Sequence, residues 1–373
     1  MTVTRRVAFE RVMVRSFRNL ASIDFAPAGR LNVIAGDNGQ GKTSLIEALY
    51  VASTSRTFRS DKLRDVIQEG AEQAVVRATV LGEASGSVPL RHEQRAVVGP
   101  RARSFLIDGK KPQRLSDYAV RTPIVVFHPG DLELASGPAA RRRTLLDRVL
   151  LYLDPAGSEA RLRFQQALRE RQRLLSERGT RGADLDAYEA VLAQHGARFA
   201  QGRQRAVEAV LEALEPAFRR MAAPELPFRG AYVPGGSTDP GAFEEQLRAR
   251  RERDLRRGAA TFGPQRDELQ LELGGRPARS HASQGQQRIL ALALKLAELE
   301  CVRAASGTQP ILLLDDVSSE LDPARTGAVY GFLRESESQV FVTTTRPELF
   351  VTPGLEPAER VDVTLRAGEL ISR

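Results

Sequence analysis

The sequence predicts an α/β fold in which a mixed sheet with flanking helices is interrupted by an α-helical second lobe. The strand-like run Leu31 to Ala35 enters a glycine-rich loop, and a helix pattern follows from Ser44 to Val51. A second apolar run, Ile311 to Leu314, is typical of a buried parallel strand. Between these two strands, apolar residues keep near-helical spacing from Leu185 to Phe218. The 373 residues are enough for two or three packed units.

The position of the helical pattern predicts the domain organisation. We expect an α-helical arm at residues 155–258, inserted into a sheet-containing head formed by residues 1–154 and 259–373. A glycine-containing break at residues 179–182 separates a helix from Ser158 to Arg178 from a longer one of about 35 residues, which would span roughly 50 Å. The two helices are predicted to lie antiparallel.

Composition limits the class of protein. Lys and Arg number 55 and Asp and Glu 47, and the resulting net charge of +8 favours a polyanionic partner. The single cysteine, Cys301, excludes a disulfide framework. Arginines leave no apolar core for a signal peptide between Met1 and Phe17, and no apolar run is long enough to span a membrane. We therefore expect a cytoplasmic protein.

The glycine-rich loop matches the phosphate-binding pattern G-x-x-x-x-G-K-[ST], between a strand and a helix as that motif requires. Glycines let the backbone N–H groups turn toward phosphates, and the helix N-terminus adds its dipole. Lys42 is expected to reach the β- and γ-phosphates of ATP, and the Thr43 hydroxyl to ligate Mg²⁺. The predicted ATP-binding residues are Gly36, Asp37, Asn38, Gly39, Gln40, Gly41, Lys42, Thr43 and Ser44.

Paired acids follow the strand Ile311 to Leu314. Asp315 is expected to hold Mg²⁺ together with Thr43. Asp316, one residue further on, is placed to orient or deprotonate the attacking water, which makes it a catalytic candidate beside Lys42. The alternative is that both acids lie in a solvated loop.

A third motif, His281 to Arg288, precedes the helix predicted from Ile289 to Cys301. Ser283 is expected to be the N-cap of that helix, which by itself would be a structural role. Between the two other motifs, however, the segment resembles the signature of ABC ATPases. That resemblance implies that Ser283, Gly285 and Gln286 contact the γ-phosphate bound to a second subunit, so that ATP induces a homodimer.

Seven ordered motif groups together resemble the RecF family of recombination and repair ATPases, an SMC-like branch of the ABC proteins. They are Ser16 to Asn19, Gly36 to Ala48, Ser55 to Arg59, His128-Pro129 with Asp131-Leu132, Gly137 to Arg142, Phe262 to Glu268, and Ser283 to Glu298 with Leu312 to Asp322. The resemblance implies an ABC-type P-loop ATPase head and a slow ATP-timed clamp on DNA. It also implies action with RecO and RecR in RecA loading and the SOS response, at the nucleoid.

Two departures from the broader ABC pattern concern hydrolysis. After the strand that begins at Val340 come threonines, Thr343 to Thr345, where transport ATPases have a switch histidine. Threonine cannot handle a proton as histidine does, so we expect slow hydrolysis. His128 stands at the Q-loop position after the strand Pro123 to Phe127, and is either a γ-phosphate sensor or an ordinary loop residue. A membrane transporter ATPase, the alternative function, would have a histidine and a glutamine at these positions.

Two basic clusters are candidates for the DNA-binding surface. The run Arg248 to Arg257 contains acids, and such alternation usually marks a solvated helix face. The second cluster, which we prefer, is Arg101, Arg103, Lys110, Lys111 and Arg114. Tryptophan is absent and aromatic residues make up only 6%, so stacking on single strands is less favoured than contact with duplex backbone or a duplex junction.

Overall fold

The computed structural model describes residues 5–83, 89–177, 182–221, 226–316, 337–350 and 355–372. The chain forms two compact units. The sheet unit comprises Met1–Asp131 and Val302–Arg373, and the helical unit comprises Leu132–Cys301.

The elements follow one another in chain order. The first part of the sheet unit contains β1 (Arg5–Phe17), β2 (Leu20–Phe25), β3 (Leu31–Ala35), α1 (Lys42–Thr54), β4 (Ala74–Glu83), β5 (Leu90–Val98), β6 (Arg103–Ile107), α2 (Leu115–Ala119) and β7 (Ile124–Phe127). The helical unit then contains α3 (Glu133–Ser136), α4 (Ala139–Leu153), α5 (Pro155–Ser176), α6 (Asp186–Met221), β8 (Phe228–Val233), α7 (Pro240–Ala249), α8 (Arg251–Arg257), β9 (Glu268–Leu273), β10 (Arg276–Pro277), α9 (Ala278–His281) and most of α10 (Gln284–Ser306). The sheet unit resumes with β11 (Thr308–Gln309), β12 (Ile311–Leu314), β13 (Val340–Thr344), β14 (Arg360–Arg366) and β15 (Glu369–Ser372).

A mainly parallel sheet positions the predicted motifs. Its strand order, within the described residues, is β15, β14, β3, β13, β12 and β7, and only the edge strand β15 is antiparallel to its neighbour. Leu314 at the end of β12 pairs with Phe127 of β7 and with Val342 of β13. Thr344 of β13 pairs in turn with Ala35 of β3. The carboxyl ends of β3, β13, β12 and β7 therefore meet at one edge of the sheet.

Helix α1 lies between this sheet and a second, mostly antiparallel one. The second sheet has the order β11, β1, β4, β5 and β6, with β2 paired to β1. Because α1 contacts strands of both sheets, nearly all of its residues are buried, including Glu47. The sequence predicted an amphipathic helix from Ser44 to Val51; the observed helix is longer, and it is covered on nearly all sides because a sheet lies against each face.

The buried side chain of Gln339 joins the two sheets. Its amide nitrogen donates to the carbonyl oxygens of Phe9 (3.0 Å) and Ala28 (2.8 Å), and its oxygen accepts from the Phe9 N–H at 2.7 Å. Phe9 and Phe25 also pack edge-to-face against Phe341 of β13. Buried polar groups are stable only when paired, so Gln339 fixes how the faces meet.

The helical unit contains the predicted antiparallel arm. Helix α6 has 36 residues and packs against α5, which agrees with the predicted pair. Arg171, near the end of α5, donates to Glu189 near the start of α6 and to Asp254 of α8. All three side chains are buried, and Arg251 also pairs with Glu189. Buried charges of this kind are tolerated because each has an opposite partner.

The two compact units divide after residues 131 and 301, whereas the sequence placed its boundaries after residues 154 and 258. Residues 132–154 group with the arm because α4 packs on α5 and α6. Residues 259–301 do so because β9 pairs with β8 and also contacts α4. The predicted extent of the ATPase head stays a prediction. In the described ranges, no helix has both the length and the apolar character that a membrane span requires.

Candidate functional site

The phosphate loop runs from the end of β3 to the start of α1, with glycine where the backbone demands it. Gly36 has φ +148°, and a Cβ there would lie 2.5 Å from the Leu365 carbonyl oxygen. Gly41, the residue before α1, has φ +109°, and its Cβ would lie 2.7 Å from Leu20 Cδ2. Without a side chain at Gly41, the first N–H groups of α1 can face an anion.

Lys42 curves back over this loop. Its ammonium nitrogen donates to the carbonyl oxygens of Gly36 (2.6 Å) and Asp37 (2.8 Å). The pKa of Lys42 is lowered, because the effect of burial exceeds the opposing effect of the carboxylates of Asp316, Asp315 and Asp37. The ammonium group is therefore held at the loop by two backbone carbonyl oxygens.

Asp315 accepts two hydroxyl hydrogen bonds on one oxygen. Thr43 at the start of α1 donates to Oδ1 at 2.9 Å, and Thr343 of β13 donates to the same atom at 2.8 Å. Burial raises the pKa of Asp315 and the hydrogen bonds from Thr343 and Thr43 lower it, the net direction being upward. The site thus brings the predicted Mg²⁺ ligands, Thr43 and Asp315, into direct contact.

Asp316 is held by the same threonine. Its backbone N–H donates to Thr343 Oγ1 at 2.9 Å, and its φ of +50° lies in the left-handed region that aspartate tolerates better than most residues. Asp316 is half-buried and lines the cleft together with Lys42 and Thr43.

The cleft has a volume of about 480 Å³, which suits a small ligand. Its lining comprises Arg18, Asn19, Asn38, Gly39, Gly41, Lys42, Thr43, Ser44, Arg59, Asp316 and Thr343. Six predicted ATP-binding residues are in this set; Gly36, Asp37 and Gln40 are not. Gln40 instead ties the loop to the β14–β15 turn, since its side-chain and backbone oxygens accept from the N–H groups of Ala367 (2.6 Å) and Gly368 (3.0 Å).

Besides Thr343, three lining residues, Arg18, Asn19 and Arg59, had no site role in the sequence interpretation. Asn19 accepts from the Ser44 hydroxyl at 2.7 Å and donates to the Gly39 carbonyl at 3.1 Å, so it braces the phosphate loop. The signal was available, because these residues belong to the motif groups Ser16 to Asn19 and Ser55 to Arg59.

Proteins named as DNA replication and repair proteins are similar to this chain over nearly its whole length. Residues 8–353 match the family described as the RecF/RecN/SMC N terminal domain. The DNA replication and repair protein RecF of Myxococcus xanthus (strain DK1622) is 39% identical over 347 residues, which cover 89% of each chain. The chain belongs to the RecF family.

Further members and structures agree. The DNA replication and repair protein RecF of Anaeromyxobacter sp. (strain Fw109-5) is 39% identical over 358 residues, covering 94% of each chain. A solved structure of the recombination mediator protein RecF–ATP in the RecFOR pathway has a TM-score of 0.85 at 26% identity and covers 100% of this chain and 99% of that one. The Smc head domain of Pyrococcus furiosus bound to the C-terminal domain of ScpA agrees in fold alone, with a TM-score of 0.53 at 16% identity over 98% of this chain and 96% of that one. The predicted α/β ATPase-head class and the family resemblance are confirmed.

Residues of two other RecF-family motifs are not among those that line the cleft. His128 packs against the Phe58 ring, with 4.9 Å between ring centroids, and its Nδ1 accepts from the Gly130 N–H at 3.1 Å. Ser283 belongs to the helical unit and is exposed; its hydroxyl accepts from the Gln286 N–H at 3.2 Å, and the Gln286 side chain accepts from the Ser283 N–H at 2.9 Å. Ser283 is therefore the predicted N-cap. The sequence from Val317 to Pro323 also resembles the D-loop of ABC-type ATPases, and this segment lies outside the described residues.

We expect Asp315→Asn to raise the thermal unfolding midpoint of the nucleotide-free protein at pH 7 in EDTA. Folding raises the pKa of Asp315, so the folded state binds this proton more tightly than the unfolded state. The charged form then lowers stability above the folded pKa, and that loss disappears as the pH falls below the ordinary range of aspartate. The difference between variant and wild type should therefore narrow from pH 7 to pH 4.

The control is Asp362→Asn, on an exposed carboxylate paired with Arg360 on β14. It should change stability by no more than about 0.5 kcal/mol. Equal midpoints for Asp315→Asn and wild type across this pH range would contradict the inferred burial cost.

Proposed function

We propose that this RecF-family chain is an ATP-dependent DNA-binding protein of DNA replication and recombinational repair. The observation that carries the proposal is the cleft that Lys42, Thr43 and Asp316 line, together with the buried Asp315 that accepts a hydrogen bond from Thr43. The names of the relatives support the process, and the similar RecF–ATP structure supports the nucleotide.

ATP would bind through the loop backbone, with Lys42 on its β- and γ-phosphates. The donor set fits Mg²⁺, which takes hard oxygens from one or two protein groups and the rest from phosphates and water. Thr43 and Asp315 offer such oxygens side by side, and the described residues contain no cluster of three or more His, Cys, Asp or Glu that would suit a different metal. The ion, when bound, would neutralise charge on the phosphates.

Asp316 is the proposed group that orients or deprotonates the attacking water, with His128 as a γ-phosphate sensor at the neighbouring strand end. Thr343 lies near the end of β13. Its hydroxyl donates to Asp315 and accepts from the Asp316 N–H. Since a threonine hydroxyl does not titrate near neutral pH as an imidazole does, this arrangement favours weak hydrolysis, suited to a clamp that ATP times.

Asp316→Asn should retain ATP binding and lower turnover roughly 10²–10⁴-fold, the usual contribution of a positioned general base. Phosphate release and equilibrium ATP binding measure the two quantities separately. Asp362→Asn serves again as the control, because it removes an exposed carboxylate of the same unit. Hydrolysis at the wild-type rate in Asp316→Asn would remove Asp316 from this role.

A head-to-head homodimer is proposed to hold ATP between two chains. Ser283, Gly285 and Gln286 would contact the γ-phosphate bound to the second chain, and Ser283 is exposed at the N-terminus of the 23-residue helix α10. Such a position presents backbone N–H groups to an anion.

Ser283→Arg should leave ATP affinity unchanged and abolish ATP-dependent dimerisation in sizing experiments. The new side chain would block the contact, although loss of the cap also lowers stability by about 1 kcal/mol. Thr144→Arg, which places an arginine at another exposed hydroxyl residue of the helical unit, should still dimerise. A Ser283→Arg protein that dimerises with ATP would contradict the shared site.

The proposed partner is DNA, as duplex or as a single/double-strand junction. Both basic clusters present exposed cations: Arg101, Arg103, Lys110, Lys111 and Arg114 lie on β6 and in the turns beside it, and Arg256 with Arg257 ends α8. We prefer the first cluster. RecO and RecR are proposed partners in RecA loading and the SOS response, in the cytoplasm at the nucleoid, and the RecFOR pathway of the similar structure supports this assignment.

Lys110→Ala with Lys111→Ala should weaken duplex binding and reduce the salt slope by about 2, because each lost phosphate contact removes roughly one unit. The matched control, Arg256→Ala with Arg257→Ala, also removes two exposed charges and should change little. Gel shifts with single-stranded, duplex and gapped DNA, with and without ATP, measure both. The opposite result would move the DNA surface to α8.

The alternative, an ATPase subunit of a membrane transporter, finds no support among these relatives and structures. The sequence departures at His128 and at Thr343 to Thr345 point the same way.

A further inference from the structure

A buried carboxylate lies beside the cleft and has no part in the proposed chemistry. Glu47 is on α1, four residues after Thr43, and is 0% exposed. A buried glutamate is stable only with charged or hydrogen-bonding partners. Its partners here are two arginines that both line the cleft.

Both oxygens of the Glu47 carboxylate accept hydrogen bonds from Arg18. Arg18 Nε donates to Oε2 at 3.0 Å and its terminal nitrogen NH2 donates to Oε1 at 2.8 Å, a two-bond fork that fixes the guanidinium plane. The third nitrogen, NH1, donates to the Asp65 carbonyl at 2.5 Å. The Arg18 backbone is also anchored, since its N–H donates to the Val66 carbonyl at 2.7 Å.

Arg59 is held more loosely by the same carboxylate. Its NH1 donates to Oε2 at 3.2 Å, and its side chain is 42% exposed against 22% for Arg18. The Thr57 hydroxyl occupies Oε1 at 2.5 Å. One carboxylate thus keeps two guanidiniums from separate segments of the chain at one wall of the cleft, although their charges repel each other.

We propose that Glu47 is a positioning residue for ATP binding, which holds Arg18 and Arg59 where they meet the nucleotide's polyphosphate. This inference rests on the proposed ATP-binding function. Prearranged cations lose little entropy on binding and need little reorganisation, which is why a fixed guanidinium pair contributes more than two mobile ones. Two arginines against one carboxylate leave one positive charge for the ligand.

The helical unit offers a matched control. Glu189 is also a buried carboxylate held by two arginines, Arg171 and Arg251. Glu47→Gln and Glu189→Gln should lower the free energy of unfolding to a similar degree, since each removes a buried charge from two guanidiniums. Only Glu47→Gln should affect nucleotide binding.

The experiment is a mutant cycle with ATP and Mg²⁺ as the ligand in equilibrium titrations. Glu47→Gln should weaken ATP binding roughly tenfold, the change expected when charge-assisted hydrogen bonds are loosened. In a background of Arg18→Ala and Arg59→Ala, the same change should cause no further loss. Glu47→Asp, which keeps the charge, should restore part of the affinity, and it replaces Glu47→Gln in the cycle if that variant does not fold.

Two results would overturn the proposal. Unchanged ATP affinity in Glu47→Gln would make the carboxylate a structural group like Glu189. A further loss in the background without both arginines would mean that Glu47 acts by another route. Lys42→Ala separates this from failure of the proposed function: wild-type protein that binds ATP no better than Lys42→Ala would overturn the function itself.

Discussion

The hydrogen bond from Thr43 to Asp315 joins residues that are 272 positions apart, and the arrangement of the site depends on it. It forms because β3 and β12 end at the same edge of a parallel sheet, with β13 between them. Thr343 of β13 binds the same carboxylate oxygen and also accepts from the Asp316 N–H, so three strand ends meet at one aspartate. A shift of β12 by one residue would turn Asp315 to the other face of the sheet and undo all three contacts.

This arrangement has an electrostatic cost that the surrounding core offsets. Burial raises the pKa of Asp315, and Lys42 donates to loop carbonyls rather than to a carboxylate. The burial of apolar residues on α1 offsets this cost and keeps the helix in place. Leu45, Ile46 and Leu49, for example, are all fully buried. A rigid helix between two sheets can keep a charged group at its first turn in place because repacking it would expose that core.

The sequence alone was sufficient to locate the motifs that lie in one continuous segment of the chain. The phosphate loop, the acids after β12 and the N-cap Ser283 are local patterns, and each lies where its pattern predicted. Thr343 was noticed only for not being a histidine, because its bond to Asp315 depends on strand order, which a linear pattern does not contain. Glu47 seemed one residue of a motif for the same reason: its arginines come from the β1–β2 turn and from the segment after α1.

Charge balance decides what kind of recognition this cleft can provide. Around the phosphate loop, the cations Lys42, Arg18 and Arg59 are opposed by at least as many carboxylates, namely Asp315, Asp316 and Glu47. Net positive charge therefore cannot by itself account for affinity toward a polyphosphate. The fixed orientation of the hydrogen-bond donors has to account for it. Glu47 faces the arginines from within the core with both oxygens bonded, and one oxygen of Asp315 accepts from the hydroxyls of Thr43 and Thr343. On the proposed function, selectivity follows from N–H and guanidinium donors fixed in direction, together with the Mg²⁺ ion that Thr43 and Asp315 would hold.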